Sequence, residues 1–77
     1  KHPHLHDSLE TIKRAVQKPT TIRHNEEDDT VVFFYREFKE NNSSERYLFV
    51  SVKYLNGEGF IITSFYTNRI TGSKWKI

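Results

Sequence analysis

Cysteine, methionine and long hydrophobic runs are absent from this 77-residue chain. Without cysteine no disulfide can form, so stability must come from packing and backbone hydrogen bonds, and the fold is compatible with a reducing cytosol. No apolar run approaches the roughly 20 residues that a membrane helix needs, and the first residues lack the blocks of a signal peptide. We therefore expect a domain that does not insert into a membrane and that acts in the cytoplasm.

The chain is also too short to bury more than one modest hydrophobic core. Six Phe, four Tyr and one Trp carry most of its apolar area, so we expect the core to be rich in aromatic side chains. Residues 1–77 are therefore predicted to form a single domain. Because the first residue is Lys1 rather than methionine, we expect a piece of a longer polypeptide, although processing explains the missing methionine equally well.

Charge is nearly balanced, with a net charge of +2, which permits contact with phosphate groups without requiring it. The string Glu26-Glu27-Asp28-Asp29 places four negative charges in one predicted loop, so the rest of the surface is more basic than the total suggests. A basic face is one arrangement that this distribution allows. Its candidate members are Lys13, Arg14, Lys18, Arg69, Lys74 and Lys76.

Apolar residues near the start recur at intervals of four, three and four, which is the period of one helix face. These residues are Leu5, Leu9, Ile12 and Val16. Two helix starts fit the sequence: Pro3 at the first helical position, or Asp7 with Glu10 at a capping-box spacing. We expect the helix to end at Lys18, because the residue before Pro19 is pushed out of helical geometry.

After the helix the pattern becomes extended, with β-branched and aromatic residues bounded by polar turns. The string Asn56-Gly57-Glu58-Gly59 favours a hairpin turn. In the third strand we expect the even-numbered residues 48–54 to face the core. The fold class is therefore α+β, with one N-terminal helix packed on a four- to five-stranded antiparallel sheet. The predicted strands are residues 20–23, 30–38, 46–55, 60–67 and 74–77.

Three short segments, in order, resemble one family. The opening Lys1-His2-Pro3-His4-Leu5 is similar to the basic-His-Pro-Glu start of phage and contact-dependent toxin nucleases of the barnase, EndoU, colicin and RelE-like superfamily. Residues 60–67 resemble that family's Ile-Thr-Ala-Tyr strand, and Gly72 followed by Trp75 resembles its closing Gly-to-Trp segment. With the aromatic strand that ends in Tyr35-Arg36, the match covers nearly the whole chain.

The resemblance implies a metal-independent endoribonuclease without a cofactor, in which the RNA 2′-hydroxyl attacks the phosphodiester. Such chemistry needs a base, an acid and a group that stabilises charge on phosphorus. His2 is the predicted acid or base, Arg36 the phosphate ligand, and Thr63 a hydroxyl that orients the phosphate. The residues predicted to contact the substrate are His4, Lys53, Phe65, Thr67 and Trp75.

The resemblance also implies partners: RNA, with tRNA as one candidate, and an acidic immunity or antitoxin protein that covers the basic face. Delivery as part of a larger secreted or phage protein would fit. Two positions depart from the family pattern. His4 stands where the family more often has Glu, and Phe65 stands where it frequently has Tyr. Because Phe65 lacks the phenol hydroxyl, its remaining role would be to stack on a base.

Each predicted site residue also has a structural interpretation. Arg36 would suit a surface ion pair, Thr63 is an ordinary strand residue, and Trp75 would suit a packing lid over the sheet. His2 would then be a surface residue near the chain start. Lys53 can act with Thr63 only if both share a face: a four-residue loop at 56–59 places them on opposite faces, and a one-residue slip reverses this.

The same residues allow other functions. The spacing of His2, His4 and His6 suits a metal only in a strand, and no cysteine completes the set, so no metal site is predicted. The acidic string at 26–29 lacks the spaced oxygens of a calcium loop. The main alternative is a non-catalytic RNA- or protein-binding module that uses its aromatic strands. A phage structural-protein appendage with decayed nuclease ancestry is the third interpretation.

Overall fold

In the part of the chain that the structure describes, one helix is followed by five antiparallel strands that form a single sheet. The computed structural model describes residues 5–42 and 45–74, with side chains for residues 9–42 and 45–72. The sheet order is β4-β3-β2-β1-β5, so the predicted α+β fold is confirmed. The elements are α1 (Leu5–Gln17), β1 (Thr21–Asn25), β2 (Asp28–Glu37), β3 (Tyr47–Leu55), β4 (Glu58–Thr67) and β5 (Ser73–Lys74).

Helix α1 packs on the sheet through its second half. Ala15 is fully buried, and Ile12 and Val16 pack against the core, as their period predicts. Leu9 was expected in the same buried stripe but is 61% exposed, because the residues that contact the sheet come from the later turns of the helix. The helix begins at Leu5, so Asp7 lies inside it, and the prediction that Asp7 caps it is wrong.

The core lies between α1 and one face of the sheet, which we call the helix face. It is built from alternate residues of the two central strands, as the period of a strand requires. The predicted inward face of β3 is confirmed for Leu48, Val50 and Val52, whereas Tyr54 is 39% exposed at the end of the strand. The remaining members of this core are Ile12, Ala15, Val16, Ile22, Val32, Phe34 and Phe38.

The opposite face of the sheet, which we call the aromatic face, is also buried where it is formed by β2 and β3. Tyr35 and Phe49 are 1% and 7% exposed, with ring centroids 5.1 Å apart. The segment 68–72, which connects β4 at one sheet edge with β5 at the other, lies over this face. The hydroxyl of Tyr35 accepts a hydrogen bond from the backbone N–H of Thr71. The prediction of one buried face on β3 was therefore incomplete.

Two tight hairpins lengthen the strands beyond their predicted bounds. Asn25 pairs with Asp28, so only Glu26 and Glu27 of the acidic string form the turn, and Asp28 and Asp29 begin β2. The turn is closed by the Glu27 N–H, which donates to the Asn25 side chain. Leu55 pairs with Glu58 across Asn56 and Gly57, whose φ values of 55° and 81° are those of a type I′ turn. The four-residue loop considered at 56–59 is therefore wrong.

A β-bulge then shifts the register of β4. Lys53 pairs with Phe60 and Val52 with Ile61, but Ser51 pairs with Thr63, so Ile62 is the extra residue. Because one inserted residue reverses the alternation of faces, Lys53 and Thr63 lie on the same face of the sheet, the aromatic face. The sequence left open whether Lys53 and Thr63 share a face or lie on opposite faces, and in the structure they share one.

Candidate functional site: an exposed apolar sheet edge

Arg36 holds the end of α1 to the sheet. It pairs with Leu48 on the helix face, and its Nη1 donates a hydrogen bond of 2.7 Å to the backbone carbonyl of Lys18. Its guanidinium carbon lies 5.8 Å from the ring centroid of Phe38, a cation–π distance. Carbonyls at the end of a helix lack partners within the helix, so this arginine supplies a structural contact.

Thr63 lies elsewhere. It pairs with Ser51 and is therefore exposed on the aromatic face of β4, whereas Arg36 lies on the helix face of β2. Strand β3 separates the two, so Arg36 and Thr63 do not line one phosphate pocket. The expectation that they act together is corrected by the register, which places one on each side of the sheet.

Lys53 shares a face with Thr63 but is directed away from it. Its Nζ lies 3.0 Å from Oδ2 of Asp28 at the start of β2, on the far side of β3 from β4. Asp28 also accepts hydrogen bonds from the hydroxyl and the N–H of Thr30. These bonds lower the pKa of Asp28 from 3.8 to about 2. The bond from the Thr30 hydroxyl contributes most to this shift, and the bond from Lys53 is the next largest contribution. Lys53 is thus the partner of an ionised carboxylate.

Phe65 and Thr67 lie on the same face as Thr63. The Phe65 ring is 52% exposed and packs at 4.8 Å, centroid to centroid, on Phe49. The hydroxyl of Thr67 accepts a hydrogen bond from the N–H of Arg69 where the segment 68–72 begins. His2, His4 and Trp75, the other predicted site residues, lie outside the described part of the chain.

Within residues 5–42 and 45–74 no group of three His, Cys, Asp or Glu side chains comes together as a metal site. Over the same ranges, the helix α1 is neither long enough nor apolar enough to cross a membrane.

The feature that sequence reasoning missed is the outer side of β4. This strand ends the sheet order and pairs only with β3 in the described structure. No Asp, Glu, Lys, Arg or Pro occurs from Gly59 to Thr67. We call this strand, with its half-exposed apolar side chains, the β4 edge. Those side chains are Phe60, Ile61, Ile62, Phe65 and Tyr66, which are 40–54% exposed.

The β4 edge presents apolar groups on both faces of the sheet. Phe60 and Phe65 lie on the aromatic face, and Ile61 and Tyr66 lie on the helix face. Burial, and after it the charge of Glu45, raises the pKa of the Tyr66 phenol, which therefore stays neutral. The absence of charge along residues 59–67 was visible in the sequence, but which strand forms the edge was not.

A shallow groove runs beside the β4 edge on the helix face, between α1 and the β3–β4 hairpin. Its volume is about 230 Å³ and most of its lining is apolar. Since Ile61 contributes to both, the groove extends the apolar surface of the edge towards the helix. Its lining residues are Ile12, Lys13, Val16, Gln17, Val52, Tyr54, Gly59 and Ile61.

Comparison of this chain with protein families, with curated proteins and with solved structures finds no match. The resemblance to toxin nucleases has no support from these comparisons and stays a prediction.

Proposed function

We propose that this domain is a non-catalytic protein-binding module that takes up an extended partner segment along the β4 edge. The observation that carries the proposal is a ten-residue outer strand whose outward N–H and C=O groups have no strand partner among the described residues. An added strand would satisfy those groups, and its alternate side chains would cover the exposed apolar ones. The groove beside Ile61 would receive one of them.

Exposed sheet edges of this length are normally protected against pairing with other chains. Natural sheets protect them with lysine, proline, inward charges, β-bulges or very short strands, because an open edge pairs with other chains. In the β4 edge a single bulge at Ile62 is the only such device between Gly59 and Thr67. A surface of this kind is most stable when it is covered, since burying apolar area contributes about 25 cal/mol per Å².

A protein partner fits this edge better than RNA. Affinity for nucleic acid comes largely from Lys and Arg contacts to phosphate. Next to the β4 edge, Lys53 is already paired with Asp28, and the strand itself opens with the acidic Glu58. The exposed phenyl rings would stack on bases, but stacking alone makes no phosphate contact, and the run from Gly59 to Thr67 carries no cation.

Binding is also favoured over catalysis. Cleavage by 2′-hydroxyl attack requires an acid, a base and a charge-stabilising donor around one phosphate. Arg36 is engaged with the Lys18 carbonyl on the helix face, and Thr63 lies on the other face. These two residues therefore supply no shared phosphate site, whereas the β4 edge is continuous.

The proposal is tested with a synthetic peptide that has the sequence of β4. The ¹⁵N-labelled domain is titrated with this peptide, and we expect chemical-shift changes concentrated in the backbone amides of β4. Ile62→Lys, which places a charge on the edge, should weaken binding by about tenfold or more, equivalent to about 1.4 kcal/mol.

The matched control is Leu9→Lys, which removes a similarly exposed aliphatic side chain on α1 and should leave binding unchanged. Shifts absent from β4, or lost equally in both variants, would contradict the proposal.

A further inference from the structure

We infer that the segment bound at the β4 edge is β4 of a second copy of this chain, paired antiparallel across a two-fold axis perpendicular to the sheet. The inference rests on the proposed function and names its partner. A two-fold axis in this direction keeps the helix face of one copy beside the helix face of the other. The two sheets would then join into one continuous sheet.

The bulge at Ile62 makes β4 complementary to itself. Residues directly opposite each other in an antiparallel pair point to the same face. Consider a regular strand of ten residues that pairs along its whole length with a two-fold related copy, first residue opposite last. Each residue that points to one face would then lie opposite a residue that points to the other face. The inserted Ile62 cancels this mismatch, because it reverses the alternation halfway along the strand.

The resulting register can be written residue by residue. Glu58 lies opposite Thr67 of the second copy, and the pairs that follow converge on the two bulges at the axis. Phe60 meets Phe65 on the aromatic face, where both already lie. Ile61 meets Ser64 on the helix face, in the same way. Cross-strand aromatic pairs of this kind stabilise a sheet.

Charge selects the antiparallel direction. Glu58 is the only charged residue of β4 and lies at its start, while the exposed Arg69 follows two residues after its end. Antiparallel pairing brings the acidic start of one copy beside the basic end of the other, twice per dimer. Parallel pairing would instead place Glu58 of one copy beside Glu58 of the other, and like charges directly opposite each other are destabilising.

The size of the contact predicts a weak dimer. An aromatic side chain carries roughly 150–250 Å², and the five apolar side chains of the β4 edge are about half exposed. Covering them in both copies would bury on the order of 900 Å², below the roughly 1,200–2,000 Å² of stable complexes. We therefore expect a dissociation constant on the order of micromolar or weaker.

The experiment is sedimentation of the full chain over a wide range of concentration. We expect the 9.2 kDa chain to change reversibly from monomer to dimer as concentration rises. Ile62→Lys should weaken association by about tenfold or more, and Leu9→Lys should leave it unchanged. A dimer that Ile62→Lys does not weaken would overturn the inference, because it would use another surface.

A pair of charge variants tests the direction and register without disturbing the apolar contacts. Glu58→Lys alone and Arg69→Glu alone should each weaken self-association, because each places like charges at both ends of the contact. An equimolar mixture of the two variants should associate as the original chain does, since each end then regains one charge of each sign. Failure of the mixture to recover would overturn the antiparallel register.

The outcomes also separate this inference from the proposed function. If the chain stays monomeric at every concentration while the β4 peptide still shifts the β4 amides, the second copy is ruled out and the binding module stands. If neither the peptide nor a second copy binds, both fail.

Discussion

The hydroxyl of Tyr35 accepts a hydrogen bond of 3.0 Å from the backbone N–H of Thr71, 36 residues further along the chain. The same hydroxyl lies 3.1 Å from the Thr71 Oγ1. Since Tyr35 is buried in the aromatic face of β2, these contacts fasten the segment 68–72 over that face. They also bring the chain from β4 to its last described strand beside β1.

Tyr35→Phe should lower the free energy of unfolding by about 0.5–1.5 kcal/mol, because it removes the hydrogen bond that the Thr71 N–H donates to the Tyr35 hydroxyl. Urea denaturation measures the change. Tyr47→Phe is the matched control, since Tyr47 packs its ring on Tyr35 and its hydroxyl forms none of the described hydrogen bonds. Equal stability losses in the two variants would show that the Thr71 contact contributes nothing.

Gly72→Ala should be more damaging than Gly57→Ala. Both glycines have positive φ, 88° and 81°, so both substitutions carry a backbone cost of about 1 kcal/mol. A Cβ at Gly72 would also lie 2.9 Å from Cδ2 of Phe33, whereas at Gly57 it would meet nothing within 4 Å. We expect an additional loss of about 1–3 kcal/mol at Gly72. Thermal unfolding of both variants compares them, and similar midpoints would be the contrary result.

Acid should destabilise the domain through Asp28. Its pKa falls from 3.8 to about 2 on folding, so its ionised form stabilises the folded state above about pH 4. That contribution is lost as the pH falls from about 4 through 2. Asp28→Asn should flatten this part of the stability profile, while substitution of the neighbouring exposed Asp29 by Asn should not. An unchanged profile in Asp28→Asn would assign the acid transition to other groups.

Arg36→Ala should destabilise the fold by about 1 kcal/mol, since it removes the hydrogen bond to the Lys18 carbonyl at the end of α1. Arg46→Ala is the matched arginine, because its exposed pair with Glu37 at 3.5 Å should contribute about 0–1 kcal/mol. Chemical denaturation and helix content by circular dichroism measure both. If Arg36→Ala unfolds like the original chain, its contact with Lys18 has no structural value.

Total tRNA incubated with the domain in EDTA should remain intact. The proposed binding module has no catalytic centre, whereas a metal-independent ribonuclease would leave 2′,3′-cyclic phosphate ends under these conditions. Gel electrophoresis and end analysis of the RNA decide between them. If the domain cleaves the RNA and His2→Ala abolishes that cleavage, the ribonuclease interpretation is correct and the proposed non-catalytic module is wrong.

Local patterns were enough to predict most of the elements. The helical period around Ile12 and Val16, the turn at Asn56-Gly57 and the alternation in β3 all depend on neighbouring residues, and the structure follows them. The α+β fold follows from the same elements, because one amphipathic helix must cover one face of the sheet.

The candidate site was not predictable in this way, since it depends on pairing between distant residues. The inserted Ile62 moves Thr63 to the face of Lys53, but nothing in the residues of β4 marks the point at which β3 tolerates a bulge. The position of β4 at the sheet edge likewise depends on the order of the strands. The sequence by itself determined the helix, the strands and the uncharged run of β4. Only the tertiary structure decided that this run lies open at an edge, because strand order and register result from contacts that no short segment contains.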